Sequence, residues 1–553
     1  MGKKAVDLLA TRRSLRRLLA PESKFLNVVI IYGLAISLMT LAVPIAVQTL
    51  INTIANIGSM RAVVVLSITL CLLLLVSGVL SALRLWIVEL YERRVYARLT
   101  AEMSYRLIRA PHDFFEGRRN AGITHRYFDI MTLQKNVPRL MVDGFTLVLQ
   151  MLVGFTLVSF YHEWLFLFNM IVIVIMYAIW RIWAYRAKET ALELSRSKYV
   201  MAKWLSDVEV AHEFFKASRH ADLAAQTTNA NAKYFVESHG NHFRYTFTQA
   251  IMFLLLSAFG SAALLGLGGW LVSRGQLSIG QLVAAELIMA TIFQNLSRFV
   301  SYLKSYYELY GAADKITELL SVPQEPEIHV RGAEPTSGDL EFHNVQVRRG
   351  DRVCQVDLTL QSGQKMFVQA SEAWIQRKVL NAIRYHETPE SGWITLGGKS
   401  LADLDQYEVR QVIHSIDRNL IAECSIREFL RLSAPDAGTH DIMTVLRDVR
   451  LWSVVEQFPE GLDTRLSVLG APFQSVEVLL LKLAAAILAH PKVLVLNQRF
   501  DNVLGHAREH IMQVLEQQPF TVLYFTSYPD NRFFDGCLHL TPINSSPEAQ
   551  SDD

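Results

Sequence analysis

The stretch Val493-Leu494-Val495-Leu496-Asn497-Gln498 decides the fold of the last third of the chain. Its four consecutive apolar residues predict a buried strand. Helix-like sequence from Leu479 to Ala489 and the turn pair Pro491-Lys492 come before it, so a helix, a tight turn and a strand follow one another. The pattern predicts an α/β domain in which this strand ends in two neutral amides.

Four more segments have the sequence of strands or hairpins, in an order that resembles the ATPase domain of ABC transporters. They are residues 342–345, 365–368, 389–398 and 521–526. The resemblance implies that the strand 493–496 should be followed by Asp-Glu, because the Asp holds Mg²⁺ through water and the Glu polarises the attacking water. Asn497 and Gln498 keep the shape of those two residues without their charge.

The phosphate loop of that family should fall on residues 370–377, between the second and third of these segments. A loop of the form G-x-x-x-x-G-K-[ST] closes backbone N–H groups around phosphates and adds a lysine and a hydroxyl. This chain carries Ala370, Ile375, Gln376 and Arg377 at the four specified positions, and the motif occurs nowhere in the sequence.

The other residues that the resemblance implies contact the nucleotide are replaced in this chain as well. The positions concerned are Arg349 for the adenine-stacking aromatic residue, Arg418 for the glutamine of the loop towards the membrane domain, Phe473, Gln474, Ser475, Val476 and Glu477 for the signature L-S-G-G-Q, and Ser527 for the histidine after the last core strand. We therefore expect a pseudo-ATPase that is not an enzyme, with no catalytic, nucleotide-binding or metal-binding residue and no cofactor.

Before residue 305 the chain has the composition of a membrane protein. Hydrophobic residues make up 51% of the whole sequence, and six stretches are long enough to cross about 30 Å of hydrocarbon. They lie near residues 25–51, 63–88, 140–160, 164–182, 247–272 and 279–299. The fold class expected is an all-α, six-helix membrane domain of the ABC exporter type, followed by a cytoplasmic α/β domain of the ABC ATPase type.

Charge predicts the orientation of these helices. Basic residues at positions 3, 4, 12, 13, 16 and 17 precede the first helix, which places both termini in the cytoplasm. The stretches 41–48, 114–126 and 275–283 resemble exporter-type ABC proteins, the last of them those of bacterial secretion systems. The resemblance implies a multi-pass protein of a bacterial inner membrane.

Five segments are expected. They are a cytoplasmic N-terminal segment 1–24, the membrane domain 25–321, a Pro-rich linker 322–338, the nucleotide-binding-like domain 339–543 and a disordered tail 544–553. The formal charge of +2 argues against nucleic-acid binding, and the four cysteines have no metal-ligand spacing. Within the membrane helices Glu286, Gln281 and Gln249 are candidates to line a cavity, because polar residues at this depth are rare.

Three functions remain open. The first is an ATP-independent dimeric conduit or scaffold, a homodimer in the lipid membrane that docks a periplasmic membrane-fusion adaptor. The second is the non-catalytic half of a heterodimeric ABC transporter that an active partner drives. The third is an active ATP-driven exporter.

Overall fold

Six helices of the structure, a computed structural model, are long and apolar enough to cross a membrane. The structure describes residues 23–40, 42–56, 60–116, 123–325, 335–417, 420–503, 505–530 and 532–543. Within them the candidate spans fall in residues 30–51, 63–108, 123–159, 163–210, 218–273 and 279–320. The six predicted stretches are therefore confirmed by length and composition. The N-terminal segment up to residue 22, most of the linker (326–334), Arg418 and the tail 544–553 lie outside the described residues.

The helices before residue 321 continue well beyond the apolar stretches. They are α1 (Ser23–Thr40), α2 (Ala42–Asn56), α3 (Met60–Ile108), α4 (His112–Glu116), α5 (Tyr127–Pro138), α6 (Phe145–Ser159), α7 (Glu163–Val210), α8 (His212–Phe215), α9 (Ser218–Ser273) and α10 (Ile279–Leu320). A π-helical turn, Arg139–Gly144, separates α5 from α6. Helix α9 has 56 residues, about 84 Å at 1.5 Å per residue, so its polar half extends far outside the hydrocarbon.

The chain after residue 335 forms two sheets. The strands are β1 (Leu340–Arg349), β2 (Arg352–Leu360), β3 (Lys365–Ala370), β4 (Ser391–Leu396), β5 (Lys399–Ser400), β6 (Ile413–Ile416), β7 (Val493–Leu496), β8 (Thr521–Phe525) and β9 (Cys537–Leu540). An antiparallel sheet has the order β2-β1-β4-β5, and a parallel sheet has the order β6-β7-β8-β3-β9. All four residues of β7 and all five of β8 are buried, as their apolar sequence predicts.

Helices cover the parallel sheet. They are α11 (Ala373–Ile383), α12 (Gln406–Val412), α13 (Ile426–Ser433), α14 (Thr439–Asp448), α15 (Trp452–Val455), α16 (Ser475–Leu488) and α17 (His506–Glu516). Ala484, Ala485 and Ala486 of α16 are buried in the same hydrophobic cluster as Leu494 and Leu496. Small side chains there let the helix approach the sheet closely, and the α/β domain expected from the sequence is present.

The chain divides into two compact units. One contains residues 1–110 and 117–324, and the other contains residues 325–553 together with the short segment 111–116. In the second unit the ring of His112 on α4 stacks on His386 at 4.6 Å between centroids. Arg410 holds the first residue of the unit's main segment through a two-pronged ion pair with Glu325, at 2.7 Å for each nitrogen–oxygen contact.

Candidate functional site

A cleft of about 250 Å³ lies where β7 ends and α11 begins. Its walls are Ala373, Gln376, Arg377, Leu380, Asn381, Asp417, Asn497, Gln498 and Arg499. The crevice beyond the carboxyl ends of parallel strands is the usual ligand position in open α/β sheets. The structure thus brings four of the sequence-predicted positions together at one site: Gln376, Arg377, Asn497 and Gln498.

The connection between β3 and α11 contains only two residues. Strand β3 ends at Ala370 and α11 begins at Ala373, so Ser371 and Glu372 alone link them. Both Glu372 carboxylate oxygens accept hydrogen bonds from Arg352, at 2.9 and 2.8 Å, and one also accepts from the Trp374 indole at 3.0 Å. At the phosphate-loop position the chain therefore has a short turn that an internal ion pair occupies.

The side-chain amide of Asn497 makes two hydrogen bonds within the fold. Its Nδ2 donates to the Asp417 carbonyl at 2.7 Å, and its Oδ1 accepts from the backbone N–H of Arg499 at 3.0 Å. An aspartate could make the second contact only, because a carboxylate has no hydrogen to donate. The neighbouring Gln498 is exposed, and its Nε2 donates to the Ser527 hydroxyl.

The cleft is positively charged at its rim. Arg377 and Arg499 are exposed and make no side-chain ion pair among the residues that the structure describes. The single carboxylate in the wall, Asp417, lies 3.8 Å from Arg384. Gln376 is only 8% exposed and lines the same space. Sequence reasoning identified Arg377 and missed Arg499, which no motif marks.

Asp501 stabilises the loop after β7, and it was not identified from the sequence. Its Oδ1 accepts hydrogen bonds from the hydroxyls of Tyr524 and Thr526, both at 2.6 Å, and its Oδ2 accepts from the backbone N–H of Ser527 at 2.9 Å. Burial and the bond to Asp501 raise the pKa of Tyr524 above its ordinary value. The carboxylate thus ties the turn after β7 to the end of β8.

The remaining exchanged positions lie elsewhere in this unit. Phe473 is buried against Phe458, and Glu477 accepts the backbone N–H of Gln474 at 2.7 Å as part of a capping box that starts α16. Ser475 and Val476 belong to the same first turn. Arg349 is at the end of β1, and Ile375 is fully buried in α11.

The structure gives the three membrane candidates different surroundings. Gln249 is buried at 1% exposure and accepts a hydrogen bond from the Tyr307 hydroxyl at 3.4 Å, so its side chain is enclosed within a single copy. Gln281 caps the start of α10 by a reciprocal contact with Ser278. Glu286 is half-buried, and its Oε2 has no hydrogen-bond partner among the described residues.

Comparison with known proteins agrees with the membrane fold. Residues 26–203 match the family described as the ABC transporter transmembrane region. The chain is 21% identical over 497 residues to proteins named leukotoxin translocation ATP-binding protein LktB from Mannheimia glucosida, Bibersteinia trehalosi and Mannheimia haemolytica. Each alignment covers 87% of this chain and 69% of the relative. The chain is thus a multi-pass, ABC-exporter-like transport protein related to these translocation proteins.

The comparison also corrects one expectation. The sequence led us to expect a chain that is not an enzyme, yet the similar proteins are named ATP-binding translocation components, a name that suggests ATPase activity. The exchanged residues are not positive evidence that activity has been lost, because the side chains of Asn497 and Glu477 also serve the fold. That expectation was wrong because it inferred activity from motif residues alone.

Proposed function

We propose that this chain is a subunit of a dimeric polypeptide exporter in a bacterial inner membrane, in which ATP acts at the cleft beside Gln376 and Asn497. The observation that carries the proposal is the presence, in one chain, of six helices long and apolar enough to cross a membrane and of a parallel sheet with a cleft at its strand ends. The similar proteins are named for leukotoxin translocation and ATP binding, and from those names we take the export of a polypeptide and the nucleotide.

The charge of the cleft supports a phosphate ligand. Arg377 is the fifth residue of α11, just beyond the first turn where the helix dipole favours anions, and Arg499 lines the same space. Two guanidinium groups can neutralise phosphate oxygens bidentately. In this proposal the two arginines replace the lysine of a phosphate loop. That the replaced positions do not make the family's usual lysine, hydroxyl and carboxylate contacts to the nucleotide stays a prediction.

A periplasmic membrane-fusion adaptor completes the proposed assembly. The connections between α6 and α7 and between α9 and α10 are short, which leaves mainly helix ends for a partner on that side. Phe160 is 83% exposed at the first of these connections, and aromatic residues are typical of a membrane interface. In-cell crosslinking from position 160 should capture the adaptor, and capture of lipid alone would contradict this part of the proposal.

ATP turnover tests the nucleotide part. Gln498→Glu places a carboxylate at the rim of the cleft, where it can polarise water, so we expect phosphate release by the purified full chain to rise by about 10²-fold. Gln513→Glu, the same change on the exposed side of α17, is the matched control and should leave the rate unchanged. No phosphate release from wild type and no gain in the variant would contradict ATP action here.

Deletion of the gene that encodes this chain tests the proposed transport function. Quantitative proteomics of the medium and periplasm should show the loss of one or a few polypeptides in the deletion strain, and plasmid-borne wild type should restore them. An unchanged set of exported polypeptides would exclude polypeptide export, whatever the ATP assay shows.

A further inference from the structure

Three arginines from three different helical segments meet at one end of the membrane unit. Arg84 is on α3, Arg139 opens the π-helical turn, and Arg298 is on α10. Arg139 stands over the ring of Tyr302, Arg298 is one helical turn before Tyr302 on α10, and Arg84 pairs with Asp143, four residues beyond Arg139. With one carboxylate among them, this arginine cluster has a formal charge of +2.

The contacts inside the cluster leave much of its charge uncompensated. Arg84 lies 3.5 Å from Asp143 and donates to Thr146 at 3.4 Å. The guanidinium of Arg139 donates to the Ser301 hydroxyl at 3.1 Å and stands 5.7 Å from the centre of the Tyr302 ring. Arg298 is exposed and has no ion pair among the described residues.

The depth of the cluster follows from helix geometry. Arg84 is 21 residues beyond Val63, about 32 Å along the axis of α3, and Arg298 is 19 residues beyond Ile279, about 29 Å along α10. Each distance matches a hydrocarbon core of about 30 Å, so both guanidinium groups lie at the same membrane–water interface. The basic N-terminal sequence predicts that this interface is the cytoplasmic one.

Apolar side chains next to these residues along the chain are exposed. Leu85 and Trp86 next to Arg84, and Met141 and Phe145 on either side of Asp143, are all exposed. A ligand that satisfies both features is an amphiphile whose anionic group meets the arginines while its chains cover the apolar surface. The π-helical turn carries Arg139 and Asp143, and such turns are frequent at functional sites.

We propose that the arginine cluster is a binding site for the phosphate headgroup of an anionic lipid of the surrounding leaflet. Basic pockets between membrane helices on the cytoplasmic side bind anionic lipid headgroups in this way. The inference goes beyond transport, because it concerns a lipid that occupies the unit rather than the cargo. Asp143 sets the strength of the site, since its carboxylate repels the phosphate and holds Arg84.

The test uses the full chain in nanodiscs of mixed phosphatidylcholine and phosphatidylglycerol, with bound lipids counted by native mass spectrometry. Wild type should retain phosphatidylglycerol preferentially. Arg298→Gln should weaken retention about fivefold, the effect of one interfacial charge, and Asp143→Asn should strengthen it by a similar factor. A misfolded variant would not produce the gain.

Arg93→Gln is the matched control, because Arg93 is on α3, the helix of Arg84, is exposed and pairs with Glu89 at 2.8 Å. It should behave as wild type. Equal retention of the two lipids by wild type, or the same loss in Arg93→Gln as in Arg298→Gln, would overturn the proposal. Displacement of the lipid by millimolar inorganic phosphate or by an acidic peptide would overturn it too, because the site would then recognise a soluble anion.

Discussion

At the scale of single residues, several carboxylates of the second unit are engaged by the fold itself. Glu477 caps α16, Asp501 holds the end of β8, and the Glu372 carboxylate is bound by Arg352. Each of these three carboxylates therefore already accepts hydrogen bonds within the fold. Among the described residues no group of three His, Cys, Asp or Glu side chains could hold a metal ion.

His414 on β6 is expected to make the second unit sensitive to acid. Burial lowers its pKa below the ordinary 6.5, and the nearby Arg384 lowers it further. A histidine with a depressed folded-state pKa stabilises the fold fully above the unfolded value, and this contribution is lost as pH falls from there towards the folded value. The temperature at the midpoint of thermal unfolding should therefore fall as the pH is lowered below about 6.5.

The variant His414→Leu removes the titrating ring, so its unfolding midpoint should fall less between pH 7 and pH 5 than that of wild type. His440→Leu changes an exposed histidine on α14 and is the control, because it should keep the acid sensitivity. Equal pH dependence in wild type and His414→Leu would reject the role of this residue.

What the sequence could reveal about these residues depended on whether their partners are local. The cap that Gln281 forms with Ser278 spans three positions and has a recognisable pattern, although we interpreted Gln281 as a cavity residue. The bond between Gln249 and Tyr307 joins residues 58 positions apart, and the pair of Arg352 and Glu372 joins two segments across a turn. Only the folded chain brings such groups together, so no motif could indicate them.

At the scale of helices and strands, apolar patterning was the reliable guide. The strands around Val493–Leu496 and Thr521–Phe525 were predicted because burial on both faces requires continuous apolar sequence. The connection after β3 was not predicted, because family spacing suggested a loop on residues 370–377 while Ala373–Arg377 are helical. Loop length depends on where a helix begins, which the sequence of a loop specifies weakly.

Close packing between α9 and α10 should depend on Gly260. A Cβ at this position would overlap the Phe293 ring, whereas nothing lies within 4 Å of a Cβ at Gly266 on the same helix. Small residues let membrane helices approach closely. We expect Gly260→Leu to destabilise the purified protein by about 1–3 kcal/mol, as overpacking does, and to lower its unfolding midpoint in detergent.

Gly266→Leu is the matched control for this prediction. Both changes improve helix propensity equally, so the difference between them reports packing alone. If the two variants unfold at the same temperature, the contact with Phe293 does not contribute to stability.

At the scale of the whole molecule, the division into units is only partly visible in the sequence. The main boundary at residue 324/325 falls in the Pro-rich stretch, as a composition shift indicates. The segment 111–116 belongs to the second unit although it is flanked by residues of the first, and no composition shift marks it. The covalent chain therefore joins the two units at three places.

The membrane unit is expected to function as a dimer. Glu286 is only half-buried in a single copy, and Gln294 on the same helix is exposed within an apolar stretch. Facing lipid, such groups cost a few kcal/mol each, whereas a second copy can enclose them in a shared polar cavity. Native mass spectrometry of the chain expressed alone in nanodiscs should therefore give twice 62.7 kDa.

The double variant Glu286→Leu with Gln294→Leu distinguishes association driven by these polar groups from non-specific association. Without the polar groups a single copy tolerates lipid on that face, so the monomer fraction should rise, while Gln226→Leu on the polar half of α9 should leave the dimer intact. A wild-type chain that is monomeric at all concentrations would refute the homodimer. Dimers that withstand the double variant would show that other surfaces hold the copies together and that the polar groups of α10 do not drive association.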